Sequence, residues 1–288
     1  MKIAFAGLGV MGAPMARHLV KGGHEVVGFN RSPDKARAWA TATGGRFAAT
    51  VEEAASGAEL FVLCVGNDDD VRQVVAAALP ALASGAVIVD HTTTSARVAR
   101  EMSELAAGQG AFFIDAPVSG GQAGAENGQL SVMAGGDADA LRRVEPVLMA
   151  YSKAVKHMGT SGSGQLTKMV NQIAIAGVVQ GLAEAVHFAQ TAGLDTDAVY
   201  DAVSKGAAQS WQMDNRWKTA AEGRFDFGFA VDWMRKDLGL VLDEARANGA
   251  HLALTALVDQ FYSEVQAMGG ARWDTSSLAA RLQSRRPS

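Results

Sequence analysis

Cysteine is nearly missing from this sequence: Cys64 is the only one in 288 residues. An intramolecular disulfide is therefore excluded, and the chain fits a reducing compartment such as the cytoplasm. The thiol falls in the apolar run Leu60-Phe61-Val62-Leu63-Cys64-Val65 and reads as a buried structural side chain. An excess of positive charge is also missing. Twenty-six Lys and Arg stand against 30 Asp and Glu, for a net charge of −4, so no general attraction to nucleic acid or to an anionic membrane is expected. An anionic ligand must then be met by a few placed cations. The pair Arg285-Arg286 is too short for a basic tail and reads as a solvated end. No run of about 18 uninterrupted apolar residues occurs, so no membrane span is expected. Met1-Lys2-Ile3-Ala4-Phe5-Ala6 enters a strand pattern at once, without the layout of a signal peptide. There is no internal repeat or low-complexity segment, and no metal site is expected.

What is present is an alternation. Short apolar runs over residues 3–6, 25–29, 60–65, 86–90, 111–115, 130–134 and 154–157 read as strands. Helical stretches over 11–21, 34–42, 69–78, 95–108 and 138–149 separate them. Gly22-Gly23 closes the first helix and Pro33 opens the second, as glycine and proline do at those positions. Continuous apolar strands between helices indicate a parallel sheet covered on both faces. After Gly159-Thr160-Ser161-Gly162-Ser163-Gly164 the strand signals vanish. A long apolar helix over 165–192 is followed by helices over 196–205, 213–222, 231–248, 255–268 and 276–283. The expectation is an α/β Rossmann fold, a doubly wound parallel sheet, over 1–160. A long interdomain helix would link it to an all-α C-terminal domain over 161–288. The long helix, apolar and rich in small residues, suits burial against a neighbour, so a homodimer or homotetramer is expected.

Gly7-Leu8-Gly9-Val10-Met11-Gly12 matches G-x-G-x-x-G, follows a strand and opens a helix. In that setting the first glycine permits the tight turn, the second admits a pyrophosphate and the third lets helix pack on strand. The helix N-terminus adds unsatisfied N–H groups and a positive dipole end. At the end of the second strand, an Asp or Glu would hold the 2′-hydroxyl of NAD. Here Asn30-Arg31-Ser32 stands instead. A guanidinium suits a 2′-phosphate, with amide and hydroxyl adding hydrogen bonds. NADP is preferred, with NAD possible; the other reading has Arg31 stacking on adenine or facing water. Two further loops, Val65-Gly66-Asn67-Asp68 and Asp90-His91-Thr92-Thr93-Thr94, end strands where ligands bind in such sheets. His91 has the chemistry of a general base but no carboxylate partner in sequence, and reads as a supporting residue.

Asp115-Ala116-Pro117-Val118-Ser119-Gly120-Gly121 is a third strand-end loop, glycine-rich with one hydroxyl. Its backbone N–H groups can take a carboxylate; an ordinary turn fits the local pattern as well. Lys168 lies one turn into the long helix, ahead of strongly apolar sequence, with Asn171 and Gln172 at i+3 and i+4. A desolvated lysine has a lowered pKa and can shuttle a proton; the alternative is a lysine that snorkels to solvent. In Asp232-Trp233-Met234-Arg235-Lys236-Asp237, Lys236 and Asp237 are expected to point away from Met234 and Leu238.

Together these motifs resemble the β-hydroxyacid dehydrogenase family, which includes 3-hydroxyisobutyrate dehydrogenase, tartronate semialdehyde reductase and the glyoxylate/succinic semialdehyde reductases. The resemblance runs along essentially the whole chain, from Gly7–Gly12 through Asp115–Gly121 and Gly162–Lys168 to Lys236-Asp237. It implies NAD(P)-dependent hydride transfer between nicotinamide and a small carboxylate-bearing aldehyde or β-hydroxy acid, with Lys168 as general acid/base. It also implies that Ser119, Gly120 and Gly121 hold the substrate carboxylate. Thr93 would lie near nicotinamide and substrate, Lys236 would touch the cofactor, Asp237 would be a supporting acid and Phe229 would line the substrate. One departure is Asn171-Gln172 where many members carry two asparagines; the longer amide can shrink the pocket. An imine reductase on the same scaffold and a non-catalytic NADP-binding scaffold are the alternatives. Imine reductases usually lack this lysine.

Overall fold

The computed structural model describes residues 1–284; Arg285-Arg286 lies outside the described residues. Contacts divide the chain into two compact units, Met1–Lys168 and the part from Met169 onward.

The first unit is an α/β Rossmann-like fold. Strand β1 (Lys2–Ala6) pairs in parallel with β2 (Glu25–Phe29) on one side and β4 (Leu60–Leu63) on the other. Outside β2 lies the two-residue β3 (Arg46–Phe47). Beyond β4 come β5 (Val87–Asp90) and β6 (Phe112–Asp115), also parallel. The order β3-β2-β1-β4-β5-β6 reverses direction between β1 and β4, so the carboxyl ends of those two strands open the crevice where such sheets bind ligands. The sheet is extended by β7 (Val118–Ser119), β8 (Leu130–Gly135) and β9 (Ser152–Gly159); β8 meets β6 and β7 antiparallel and β9 in parallel.

The strands read as unbroken apolar runs because both faces are covered. Ile3, Phe5, Leu60, Val62, Val87 and Val89 feed one core cluster. Their neighbours Ala4, Ala6, Phe61, Leu63 and Ile88 feed another, as the two-residue side-chain period of a strand dictates. Helices α1 (Gly12–Lys21) and α2 (Pro33–Thr43) follow β1 and β2. Helices α3 (Val51–Ala55) and α4 (Asp68–Ala78) flank β4, and α5 (Ala96–Ala107) follows β5. Helix α6 (Gly121–Glu126) follows β7, and α7 (Ala138–Leu148) follows β8.

The sequence reading missed β3, α3, β7 and α6, each of six residues or fewer and so too short to show a period. For α3 a cap signal was available. Thr50 accepts from the Glu53 N–H at 3.2 Å while the Glu53 carboxylate accepts from the Ala49 N–H at 2.9 Å, a box in which hydroxyl and acid satisfy neighbouring amides. Cys64, expected to be buried, is half-buried.

Helix α8 (Ser163–Thr191) begins in the first unit and continues as the spine of the second. Around it stand α9 (Thr196–Val203), α10 (Trp211–Ala221), α11 (Val231–Asn248), α12 (Ala253–Ala267) and α13 (Leu278–Gln283). Ala176, Val179, Ala183 and Val186 of α8 pack with Trp217, Met234, Leu238 and Tyr262 in one helical core. Among the described residues α8 is the one helix long and apolar enough to cross a membrane by length and composition. Its apolar run is nevertheless broken by Lys168, Asn171, Gln172, Gln180 and Glu184.

Candidate active site

The glycine loop between β1 and α1 shows three reasons for three glycines. Gly7 has φ +97°, and a Cβ there would stand 2.1 Å from the Cys64 carbonyl oxygen. At Gly12 a Cβ would meet the Gly7 carbonyl oxygen at 1.8 Å. These two are demanded by the fold. At Gly9 nothing lies within 4 Å of an added Cβ; the open space is on a loop whose helix has no side-chain cap and no acid in its first turn. A bare surface at an uncapped helix N-terminus fits a pyrophosphate, which takes those N–H groups and the positive dipole end. Val10 is exposed and Leu8 is buried.

Asn30 supports this loop: its side-chain oxygen accepts from the Leu8 N–H at 3.0 Å and its amide donates to the Ser32 carbonyl at 3.2 Å. The side chain of Arg31 is 89% exposed and lies 3.5 Å from the Asp70 carboxylate. Asp70 also accepts from the Gly66 N–H at 3.1 Å, and Asn67 caps α4 by accepting from the Asp70 N–H at 2.9 Å. Val65 donates its N–H to the Thr92 hydroxyl at 3.0 Å. Thr93 is half-buried between buried Thr92 and Thr94.

Lys168 is 8% exposed, and its ammonium donates to the Val118 carbonyl at 2.9 Å. Ser119, Gly120 and Gly121 follow Val118 directly, with φ +128° at Gly120. The lysine is placed there because the buried Asp115 carboxylate ties the end of β6 to the start of α8. It accepts from the Gly162 N–H at 2.8 Å and the Gln165 N–H at 2.9 Å. Burial nevertheless pushes the Asp115 carboxyl up to about 6 against those bonds. Gln165, fully buried, holds the threonine loop: its oxygen accepts from the Thr94 N–H at 3.0 Å and its amide donates to the Thr92 carbonyl at 2.7 Å. Neither Asp115 nor Gln165 was singled out from sequence. A polar residue closing an apolar strand was the available signal for Asp115.

His91 is 2% exposed. Its Nδ1 lies 2.6 Å from the Ala116 carbonyl and its Nε2 lies 2.8 Å from the Tyr151 hydroxyl. Burial lowers the imidazole to about 4. It is a neutral, enclosed group, not a base open to a ligand.

In the second unit, Gln172 is buried. Its amide donates to the Asp237 carboxylate at 2.7 Å, and its oxygen accepts from the Asn171 amide at 2.8 Å. Lys236 pairs with Asp237 at 3.2 Å. The expectation that Asp237 points away from Met234 is corrected: both are buried, and the Gln172 amide reaches both, since residues at i and i+3 share a helix face. Phe229 is 39% exposed. Its N–H is held at 3.0 Å by Asp274, a buried acid that also takes Arg216 Nε at 2.9 Å.

The sheet reversal, the glycine loop and the buried lysine beside a glycine-rich turn define a dinucleotide-binding oxidoreductase. The family model for the NAD binding domain of 6-phosphogluconate dehydrogenase matches residues 2–159, and the model for the NAD-binding domain of NADP-dependent 3-hydroxyisobutyrate dehydrogenase matches residues 162–282. The chain is 60% identical over 288 residues to an oxidoreductase from Shewanella frigidimarina, covering 99% of both chains. It is 39% identical to a probable 3-hydroxyisobutyrate dehydrogenase-like protein from Arabidopsis thaliana, covering 98% of this chain and 85% of that one. The structure of Mycobacterium tuberculosis 3-hydroxyisobutyrate dehydrogenase with L-serine superposes with a TM-score of 0.89 at 34% identity, covering 99% of both. The chain belongs to the β-hydroxyacid dehydrogenase family, with 3-hydroxyisobutyrate dehydrogenases among its relatives, and is an NAD(P)-binding oxidoreductase acting on CH–OH donors. A Streptomyces aurantiacus imine reductase, 23% identical with a TM-score of 0.67, shares the fold alone.

Proposed function

We propose that this enzyme interconverts a small β-hydroxy acid and its semialdehyde with NADP(H), Lys168 serving as general acid/base. The observation that carries this is the buried Lys168 ammonium, 2.9 Å from the Val118 carbonyl and one residue from the Ser119-Gly120-Gly121 turn. A carboxylate held by that turn would set the rest of a two- to four-carbon substrate beside the lysine. When bound, the nicotinamide supplies the hydride. Lys168 gives a proton to the carbonyl oxygen in reduction and takes one from the hydroxyl in oxidation. Thr93 serves to orient the substrate, and the family resemblance implies substrate contacts for Asn171 and Phe229. Gln172 and Asp237 act as a linked pair, and the contact of Lys236 with the cofactor is what the same resemblance implies.

Gly7–Gly12 and Val65–Asn67 border the cofactor. Arg31 meets the 2′-phosphate, a role supported by the absence of an acid at the end of β2 and by the exposure of its guanidinium. The same reading has the enzyme act in the cytoplasm as a homodimer or homotetramer.

The test is a panel of glyoxylate and succinic, methylmalonate and tartronate semialdehydes with both cofactors, run on the wild type and on Lys168→Ala. A positioned proton donor is worth roughly 10²–10⁴ in rate, so Lys168→Ala should lose that much in kcat while its NADPH affinity, read by fluorescence titration, stays within about two-fold. Near-normal turnover in that variant removes the acid/base role. Turnover of cyclic imines in preference to the panel would favour the imine reductase alternative.

A further inference from the structure

Beneath the turn that carries Ser119, the first unit buries an imidazole to which the reaction gives no task. The ring of His91 is held edge-on to Tyr151, with centroids 5.5 Å apart at 88°. A carbonyl can only accept, so the 2.6 Å contact to Ala116 puts the proton on Nδ1, and Nε2 accepts from the Tyr151 hydroxyl. Tyr151 is fully buried, and the half-buried Cys64 on the β4 side is the other titratable group near its hydroxyl. Each ring nitrogen is thus committed, and the tautomer is fixed by what surrounds it.

The reason for this arrangement lies in where the sheet stops. The β5–β6 ladder ends with Asp90 opposite Asp115, and the Ala116 N–H makes one more bond to the Asp90 carbonyl at 2.7 Å. Continuing the ladder would require the Thr92 N–H for the Ala116 carbonyl. That N–H is turned onto the side chain of Asp90 at 2.8 Å, and His91 supplies the missing donor. The next two carbonyls are held in turn, Pro117 by the Met133 N–H at 3.0 Å and Val118 by Lys168 at 2.9 Å. Pro117 has no N–H with which to anchor itself.

The geometry points to His91, braced by Tyr151, as a positioning residue: it fixes the Ala116–Val118 segment so that Val118 offers its carbonyl to Lys168 and Ser119–Gly121 stay beside the ammonium. This rests on the reading of Lys168 as the acid/base.

Three variants test it: His91→Leu removes the donor, His91→Asn keeps an amide N–H where Nδ1 stood, and Tyr151→Phe removes the brace. All are assayed beside the wild type and Lys168→Ala, using succinic semialdehyde with NADPH and 3-hydroxyisobutyrate with NADP+, with melting temperatures recorded. Expected for His91→Leu is a drop of at least ten-fold in kcat/KM for the carboxylate substrate, with the NADPH KM within two-fold. His91→Asn should recover to within about three-fold of wild type. A merely structural role predicts instead that activity follows melting temperature across the variants and that both KM values move together; that pattern overturns the proposal. So does His91→Leu within two-fold of wild type, or His91→Asn as impaired as His91→Leu. If His91→Leu does not fold, Tyr151→Phe must lose several-fold in kcat/KM at constant NADPH KM, and an unchanged value sinks the idea. Lys168→Ala with near-normal turnover removes the acid/base reading and this one with it. An inactive Lys168→Ala beside a normal His91→Leu removes this one alone.

Discussion

Arg31 gives cofactor choice a single-residue test. Its guanidinium lies 3.5 Å from Asp70 and is otherwise in solvent, while the neighbouring Asn30 is spent on the glycine loop through the Leu8 N–H. On the proposed NADP reading, the discriminating contact to a 2′-phosphate would therefore fall on Arg31 and Ser32. A hydrogen bond to a charged group contributes about 1.5–3 kcal/mol. Arg31→Ala should then raise the NADPH KM about ten-fold or more and leave the NADH KM within about two-fold, as steady-state kinetics with each cofactor will read. Equal rises would leave only adenine stacking. Gln172 shows the limit of residue-level reading. Its place after Lys168 and Asn171 was plain in the sequence, but its bond to Asp237, 65 positions on, depends on how α8 and α11 pack, which spacing along one helix does not contain.

Among the elements, the β1–α1 turn separates what the fold needs from what a ligand needs. Gly7→Ala should fail to give stable protein, because positive φ and a carbonyl at 2.1 Å act together and strained backbone alone costs about 1–3 kcal/mol. Gly9→Ala, with open space around the added methyl, should melt within a few degrees of wild type, while its NADPH dissociation constant rises at least about ten-fold. Thermal unfolding and fluorescence titration of the pair decide this; a large loss of stability at Gly9 would mean that the loop serves the fold there too. Long elements were legible because burial imposes a period. Strands β1, β4 and β5, covered on both faces, show as apolar runs, and α1 and α2 are punctuated by Gly22 and Pro33. The short β7 and α6, which carry Ser119 and Gly121, were not legible: β7 is set by its pairing with β8, and the six residues of α6 are too few to show a period.

For the whole molecule, two buried groups of the first unit set opposing acid dependences. The Asp115 carboxyl titrates at about 6 when folded against 3.8 in an exposed chain. Between those values the folded state keeps a proton that the unfolded state has shed, so stability falls as pH rises from about 4 to 6. His91 stays neutral down to about 4 when folded but takes a proton near 6.5 when unfolded. Its contribution therefore runs the other way, and stability rises as pH climbs from about 4 to 6.5. Each shift of roughly two units corresponds to about 3 kcal/mol, so the pair largely cancels. His91→Asn should uncover the Asp115 slope: the variant gains stability relative to wild type on acidification from pH 6.5 to 4. Denaturation midpoints across that range test this, and parallel curves would refute the depressed imidazole. The two-part α/β and helical plan could be read from the vanishing of strand signals after Gly159. The internal charge balance could not, because Asp115, His91 and Tyr151 are far apart in sequence. The run of three carbonyls at Ala116, Pro117 and Val118, each already claimed by a different donor, also bears on gene length. Inserting or deleting one codon there would hand the lysine an acceptor already taken, so length variation should fall outside Ala116–Gly121.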